Sequence, residues 1–450
     1  MHLFGAKDGA SFGVEHAPRS AVKDKIGAGV SMTHGEADGA SSDRLPHARV
    51  LMYSHDTFGL GHLRRCRAIA HALVERFKGV QVLIVSGSSI AGAFDFRTRV
   101  DFLKVPSIIK LMNGEYTPLA QHTDLQETLT LRRSLILSTA ESFAPDIFIV
   151  DKEPLGLRGE LEPTLAHLKD QGTTLVLGLR DVMDGPRQLA AEWARSDTLA
   201  KMDALYDAVW VYGPESFYDP LTGLDVPGGL HDRLTWTGFL RREVPAVPPV
   251  GSYLPENALL VTAGGGGDGA ALMHQVIAAY ASDARLFWPV ILVLGPFMKA
   301  DEREELRRKA SRLPTVWLID FDNRLEAIMQ SAAGVVSMGG YNTFCEILSL
   351  DKRALIVPRT SPREEQLIRA RRAADLDLID MMMPEEAADP NLMAEKLRRL
   401  ATRPKPSETP YGRRLNGLDT ICNLVHDYIA ARSGGAAIYD PSEAERLTRL

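Results

Sequence analysis

Ser337-Met-Gly-Gly-Tyr-Asn-Thr-Phe-Cys-Glu346-Ile347 is the stretch that decides the reading of this chain. The apolar run Ala354-Leu-Ile-Val-Pro358 and then Arg363-Glu364-Glu365-Gln366 follow it. Upstream, Gly334-Val335-Val336 reads as a strand end. Gly339 and Gly340 allow a tight turn and bring bare backbone close to a ligand. Asn342 or Thr343 is expected to cap the helix that follows. The open N–H groups of that helix start suit a diphosphate. Glu346 would lie in the first turns, where a carboxylate can accept from vicinal ribose hydroxyls. One strand later, Glu365 and Gln366 open another helix, within reach of sugar hydroxyls. Groups for phosphate, ribose and hexose thus follow one another along the chain, and these are the three polar parts of a nucleotide-diphosphate sugar.

Working outward, strands and helices alternate in both directions, the pattern of parallel α/β units. Arg49 to Tyr53, Val80 to Val85, Val100 to Val105, Asp146 to Val150, Thr174 to Leu179 and Ala208 to Tyr212 read as strands. Between them, Leu63 to Phe77, Asp124 to Phe143, Leu161 to Asp170 and Gln188 to Met202 read as helices. Leu63, Cys66, Ile69, Ala70, Leu73 and Val74 recur near a 3.6-residue period. The alternation restarts at Ala258 to Thr262 and continues through Ala270 to Ser282, Val290 to Leu294, Val316 to Ile319, Val335 to Ser337 and Leu355 to Val357. Tyr411 to Arg432 reads as a last helix. Residues 1–46, rich in Gly, Ala, Ser, Asp and His without period, read as a disordered extension. The expected division is then a first domain over 47–243, a Pro-rich linker over 244–256, a second domain over 257–405, a helix over 406–432 that crosses back, and a tail over 433–450. The fold class is α/β, with two Rossmann-like domains whose parallel sheets face a central cleft.

Polar and glycine-rich residues cluster after the strands, at the sheet edge where ligands bind in this architecture. Gly59-Leu-Gly61-His62 follows the first strand and starts a helix. The glycines permit close approach, and His62 can take a proton from an acceptor hydroxyl or position it. His55 is the weaker candidate. Gly264-Gly265-Gly266-Gly267-Asp268-Gly269 follows the first strand of the second domain, and its N–H groups suit a phosphate nest. It lacks the Gly-Lys-Ser/Thr of a Walker loop and the Gly-x-Gly-x-x-Gly of a dinucleotide fingerprint. Arg241 and Arg242, at the domain junction, are candidates to pair with the diphosphate as the leaving group gains charge. Asp151 ends a first-domain strand and would orient His62 or act as base itself. Arg180 and Asp181 end another, with Arg180 as a holder of an anionic acceptor. Asp320-Phe-Asp322 has the spacing of a metal-binding Asp-x-Asp, but glycine loops and helix ends already serve the phosphates. No metal or other cofactor is expected.

Gly339-Gly340 through Glu346, Pro358 and the Glu365-Gln366 pair resemble the donor half of inverting GT-B glycosyltransferases. The similarity is to family 28, the peptidoglycan glucosaminyltransferases that form lipid II, and to a group of bacterial predicted glycosyltransferases with this layout. The resemblance implies that Glu346 holds the ribose and that Glu365 and Gln366, where the family has Gln-Gln, hold the donor sugar. It also implies that Gly264 to Gly267 open the donor domain, that Phe321 lies near uracil or another base, and that Gly59, Gly61 and His62 face the cleft. Phe58-Gly-Leu-Gly-His-Leu-Arg-Arg-Cys-Arg67 also resembles the start of nucleotide-sugar hydrolases of the pseudaminic acid pathway, where Arg65 matches an arginine of the motif. The expected function is transfer of a hexosyl group, an N-acetylhexosaminyl group first, from a UDP-linked sugar to a saccharide or lipid-linked acceptor. The alternatives are hydrolysis of the nucleotide sugar and its non-catalytic binding.

Composition bounds these readings. The chain has 450 residues, 45% hydrophobic and 24% charged, enough for two domains with sizeable cores. A net charge of −6 gives no electrostatic footprint for nucleic acid. Cys66, Cys345 and Cys422 are too dispersed for a metal or redox motif, which fits a reducing cytoplasmic compartment. No apolar run approaches the ~20 residues that span a bilayer. Contact with membrane is expected to be peripheral, at its inner face.

Overall fold

The computed structural model describes residues 47–55, 61–110, 116–119, 124–243, 254–322 and 324–432. The expected N-terminal extension, the tail, most of the linker, and Gly59 lie outside them.

The first lobe runs β1 (Ala48–Ser54), α1 (Gly61–Arg76), β2 (Val80–Ser86), β3 (Val100–Lys104), β4 (Ile108–Lys110), β5 (Tyr116–Pro118), α2 (Leu125–Phe143) and β6 (Ile147–Asp151). It continues with α3 (Glu162–Asp170), β7 (Thr174–Arg180), α4 (Pro186–Ala194), α5 (Thr198–Leu205), β8 (Ala208–Tyr212), α6 (Gly228–His231) and β9 (Leu234–Trp236). Seven strands form one parallel sheet in the order β3-β2-β1-β6-β7-β8-β9, and β4 and β5 pair separately as an antiparallel hairpin. Asp124 caps α2 by accepting from the N–H groups of Gln126 and Glu127.

The second lobe runs β10 (Leu259–Thr262), α7 (Ala270–Ser282), β11 (Val290–Val293), α8 (Ala300–Ala310), β12 (Val316–Ile319), α9 (Leu325–Ser331) and β13 (Gly334–Ser337). Then come α10 (Tyr341–Ser349), β14 (Ala354–Ile356), α11 (Glu365–Asp375), β15 (Asp380–Met381), α12 (Pro384–Ala387), α13 (Pro390–Leu400) and α14 (Gly417–Arg432). Its sheet has the order β12-β11-β10-β13-β14-β15, again parallel throughout. The central strands are buried along their whole length, as sheets covered by helices on both faces require. Helix α14 returns to the first lobe. There Tyr428 stacks on Trp210 at 6.3 Å and His426 stacks on Phe77 at 6.2 Å.

Several elements differ from the sequence reading. The helix expected over Gln188 to Met202 is two helices, because Asp197 takes a left-handed conformation (φ 52°) between α4 and α5. The last helix begins at Gly417, not Tyr411. The hairpin β4–β5 and the short edge strands β9 and β15 are too brief to show a period.

The strand orders locate the site. In each sheet the chain winds away in both directions from one central pair, β1 with β6 and β10 with β13. Ligands in such sheets bind beyond the carboxyl ends of the pair where the winding reverses. Ser54 lies opposite Asp151 in one pair, and Thr262 opposite Ser337 in the other. Every glycine loop singled out in the sequence follows one of those strand ends. Among the described residues, no helix is long and apolar enough to cross a membrane.

Candidate active site

At the end of β6, Asp151 is fully buried and accepts three hydrogen bonds. His62 Nδ1 lies 2.7 Å from Oδ2, Arg65 Nη2 lies 2.7 Å from Oδ2, and Arg65 Nε lies 3.0 Å from Oδ1. A carboxylate flanked by a guanidinium can only accept, which assigns the proton of a neutral His62 to Nδ1 and leaves the Nε2 lone pair free. Burial pushes the imidazole down to about 3, although Asp151 pulls the other way. Burial of Asp151 works to raise its carboxyl, but Arg65 and His62 outweigh it and hold it well below the ordinary range. The pair is therefore a neutral imidazole oriented by a permanent carboxylate, with its Nε2 unprotonated.

Across from this dyad, both lobes wall a cavity of about 210 Å³. The first lobe supplies Gly61, Arg64, Arg65, Phe94 and Arg180. The second supplies the loop Ala263 to Asp268, then Phe321, Asp322, Gly340 to Thr343, Arg359 and Gln366, with Val293, Gly295 and Leu325. The loop backbone depends on glycine. Gly266 has φ +83°, and a Cβ there would run into the carbonyl of Leu294. Gly339 has φ +73°, and a Cβ would strike Ile356.

The structure thus brings Gly264 to Gly267, Phe321, Gly340, Asn342, Thr343 and Gln366 to one cavity wall. Gly61 joins them from the first lobe, and His62 sits beside it. Other expected residues take different places. Arg241 is exposed and pairs with Glu243 at 3.6 Å, away from the cavity. Arg242 is buried and donates to Asn342 Oδ1 at 2.6 Å, so it braces the lobes instead of facing a diphosphate. Asn342 and Thr343 do not cap α10, whose N-cap is Gly340 with no side-chain bond. The Asn342 amide donates instead to Gly61 O at 3.0 Å. Asp181 is spent on Arg369 in a buried inter-lobe pair, at 2.8 and 2.6 Å, and has nothing left for an acceptor. Arg180 lines the donor-side cavity and pairs with Glu365 at 3.1 Å. Arg65 holds Asp151 and lies over the Tyr341 ring at 5.6 Å, a cation–π contact from one lobe to the other. His55 is buried beside Tyr53 (3.2 Å) within a network that includes Glu160 and Arg132. Asp320 pairs with Arg303 and Arg307.

Glu346 is fully buried, and Arg64 reaches it at 2.6 Å. Burial, added to by nearby Glu326 and opposed by Arg64 and Arg242, raises its carboxyl to about 7. Glu365 is buried between Arg180 and Arg359. Burial works to raise its carboxyl, but those arginines prevail and bring it down to about 2. Arg64, Glu326, Phe94, Tyr341 and Arg359 escaped the sequence reading. For Arg64 the available signal was its place two residues after His62, and for Arg359 its place directly after Pro358.

Two doubly wound lobes that face one cleft define the GT-B fold of glycosyltransferases. Residues 258–414 match the glycosyltransferase family 28 C-terminal domain. The chain is a glycosyltransferase, and its second lobe is of the family 28 type. It is 25% identical over 322 residues to the UDP-N-acetylglucosamine–N-acetylmuramyl-(pentapeptide) pyrophosphoryl-undecaprenol N-acetylglucosamine transferase of Parabacteroides distasonis, covering 68% of this chain and 77% of that protein. Among solved structures, MurG of Acinetobacter baumannii aligns with a TM-score of 0.51 at 13% identity, over 85% of this chain and 99% of that one. The glycosyltransferase VinC in complex with dTDP aligns with a TM-score of 0.55 at 18% identity, over 86% and 100%. These structural likenesses show the fold.

Proposed function

We propose that the chain is an inverting transferase that moves a hexosyl group, specifically an N-acetylhexosaminyl group, from a UDP-sugar to a saccharide or lipid-linked acceptor. The observation that carries this reading is the shared cavity, with both second-lobe glycine turns on one wall and the residues flanking His62 on the other. The activity named for the Parabacteroides relative supports the sugar and the acceptor class.

In this mechanism His62 Nε2 takes the proton of the acceptor hydroxyl. That oxygen attacks the anomeric carbon from the face opposite the diphosphate, and the bond to UDP breaks as the new glycosidic bond forms. Asp151 stabilises the imidazolium. Backbone N–H groups of Gly265 and Gly267, whose neighbours Gly264 and Gly266 donate within the loop to Thr262 Oγ1 and Ala263 O, and of the α10 start, with Arg359 and Arg180 beside them, receive the charge of the leaving group. Glu346 accepts from the ribose hydroxyls, Glu365 and Gln366 engage the sugar, and Phe321 lies against the base. These cations take the place of a metal, so rates should persist in chelator. The acceptor would be reached at the inner face of the membrane.

Incubation with a panel of nucleotide sugars, with and without saccharide and lipid-linked acceptors, tests the proposal by following nucleotide and sugar release. Acceptor-dependent UDP release is expected. Release of free sugar at the same rate without any acceptor would defeat transfer, and turnover of no UDP-sugar would defeat the donor assignment.

A further inference from the structure

Arg64 projects from α1 into the cavity, and its Nη2 lies 2.6 Å from Glu326 Oε1 and 2.6 Å from Glu346 Oε1. The arginine belongs to the first lobe and both carboxylates to the second. Glu346 is completely buried, and among the described residues its oxygens meet no regular hydrogen-bond donor, so the Arg64 ion pair is what compensates its charge. The carboxylate proposed for the ribose is thus covered by a cation from the facing lobe. A second pair of the same kind lies next door, where first-lobe Arg180 meets second-lobe Glu365 at 3.1 Å.

The cavity of about 210 Å³ is below the ~300–1,000 Å³ of clefts that take ligands of this size. The lobes must part to admit a nucleotide sugar, and parting draws Arg64 away from Glu346. Ribose hydroxyls can then donate to the vacated carboxylate. The freed guanidinium remains on the wall that faces the Gly264–Gly267 loop, where the diphosphate lies in the proposed donor pose. A planar guanidinium pairs well with phosphate oxygens.

We propose that Arg64 is a partner-exchanging cation of the donor site. In the structure it pairs with Glu346; with donor bound it yields Glu346 to the ribose and pairs with the diphosphate across the cleft. This rests on the donor reading above and adds a first-lobe residue to it.

Calorimetry of the full chain with UDP and with uridine, on the wild type and on Arg64→Met, tests the exchange. The variant should bind UDP about tenfold or more weakly, the size of one charge-assisted hydrogen bond. Its affinity for uridine should hold or improve, because the competitor at Glu346 is gone. Unchanged UDP affinity overturns the proposal, and so does a parallel loss of both ligands, which would mean that Arg64 only shapes the pocket. Thermal melting checks that the variant is folded. Should Arg64→Met fail to fold, Arg64→Lys, which keeps a charge but not the planar fork, must still lose UDP affinity relative to uridine. Glu346→Gln separates the two levels: if it leaves uridine affinity untouched, the ribose assignment itself is wrong, whatever Arg64 does.

Discussion

Asp151→Asn is the sharpest test of the catalytic dyad. The Asp151 carboxylate accepts from His62 and twice from Arg65, all within 3.0 Å, and is completely buried. An amide offers one acceptor and one donor in the same space. If its NH2 faces His62, Nδ1 must accept, the ring proton moves to Nε2, and the base is lost. If its oxygen faces His62, the NH2 meets Arg65 Nε donor to donor, and the charge that stabilises the imidazolium is gone. Either orientation forfeits most of the general-base contribution, ~10²–10⁴ in rate, or about 3–5 kcal/mol of barrier. The buried guanidinium of Arg65 also loses its counter-charge, which costs about 3–5 kcal/mol of stability. Rates must therefore be referred to folded protein. The assay is the initial rate of UDP release at saturating donor and acceptor, with calorimetry of UDP alongside. Since Asp151 does not line the cavity, UDP affinity should stay within about twofold. His62→Ala should cost a similar factor, and the double variant should cost no more than the worse single one, because the pair works as a unit. A folded Asp151→Asn enzyme with a rate within about threefold of wild type would refute the dyad. A severe Asp151→Asn loss with a fully active His62→Ala would assign the base to Asp151 itself.

Other outcomes follow from the same geometry. Gly266→Ala, which sets a Cβ against the Leu294 carbonyl at φ +83°, should abolish UDP binding in calorimetry while the first-lobe core around Leu51, Val150 and Leu177, which no second-lobe residue joins, stays folded by circular dichroism. The Glu346 carboxyl is raised from 4.5 to about 7, so the folded state holds a proton that the unfolded chain has released between those values. That contribution is fully present below 4.5 and is lost as pH rises through about 7. The melting temperature of Glu346→Gln relative to wild type should therefore climb on going from pH ~5 to ~8, and a flat difference would contradict the buried carboxyl. Arg241→Ala should leave UDP affinity and rate within about twofold, since an exposed pair at 3.6 Å contributes little.

How much of the site the sequence disclosed depends on where each partner lies along the chain. Glycine loops were legible because tight turns and bare backbone need glycine locally, whatever surrounds them. His62 was legible from its place at a helix start after a strand. Arg241 and Arg242 looked equivalent, being adjacent. The fold separates them: one side chain points to solvent beside Glu243, and the other turns inward to Asn342, a hundred residues away in sequence. Asp181 looked like an acceptor contact until Arg369, 188 residues further on, proved to occupy it.

The sequence by itself determined the two doubly wound lobes and the glycine turns at their strand ends, because hydrophobic periodicity and turn composition act over a few residues. Tertiary structure alone decided which charges meet. Arg64 and Glu326 are 262 residues apart, and Arg65 and Asp151 are 86 apart. What a carboxylate can bind follows from the guanidinium that packing sets beside it, and from how completely water is excluded there. Neither quantity is written in any local stretch of the chain.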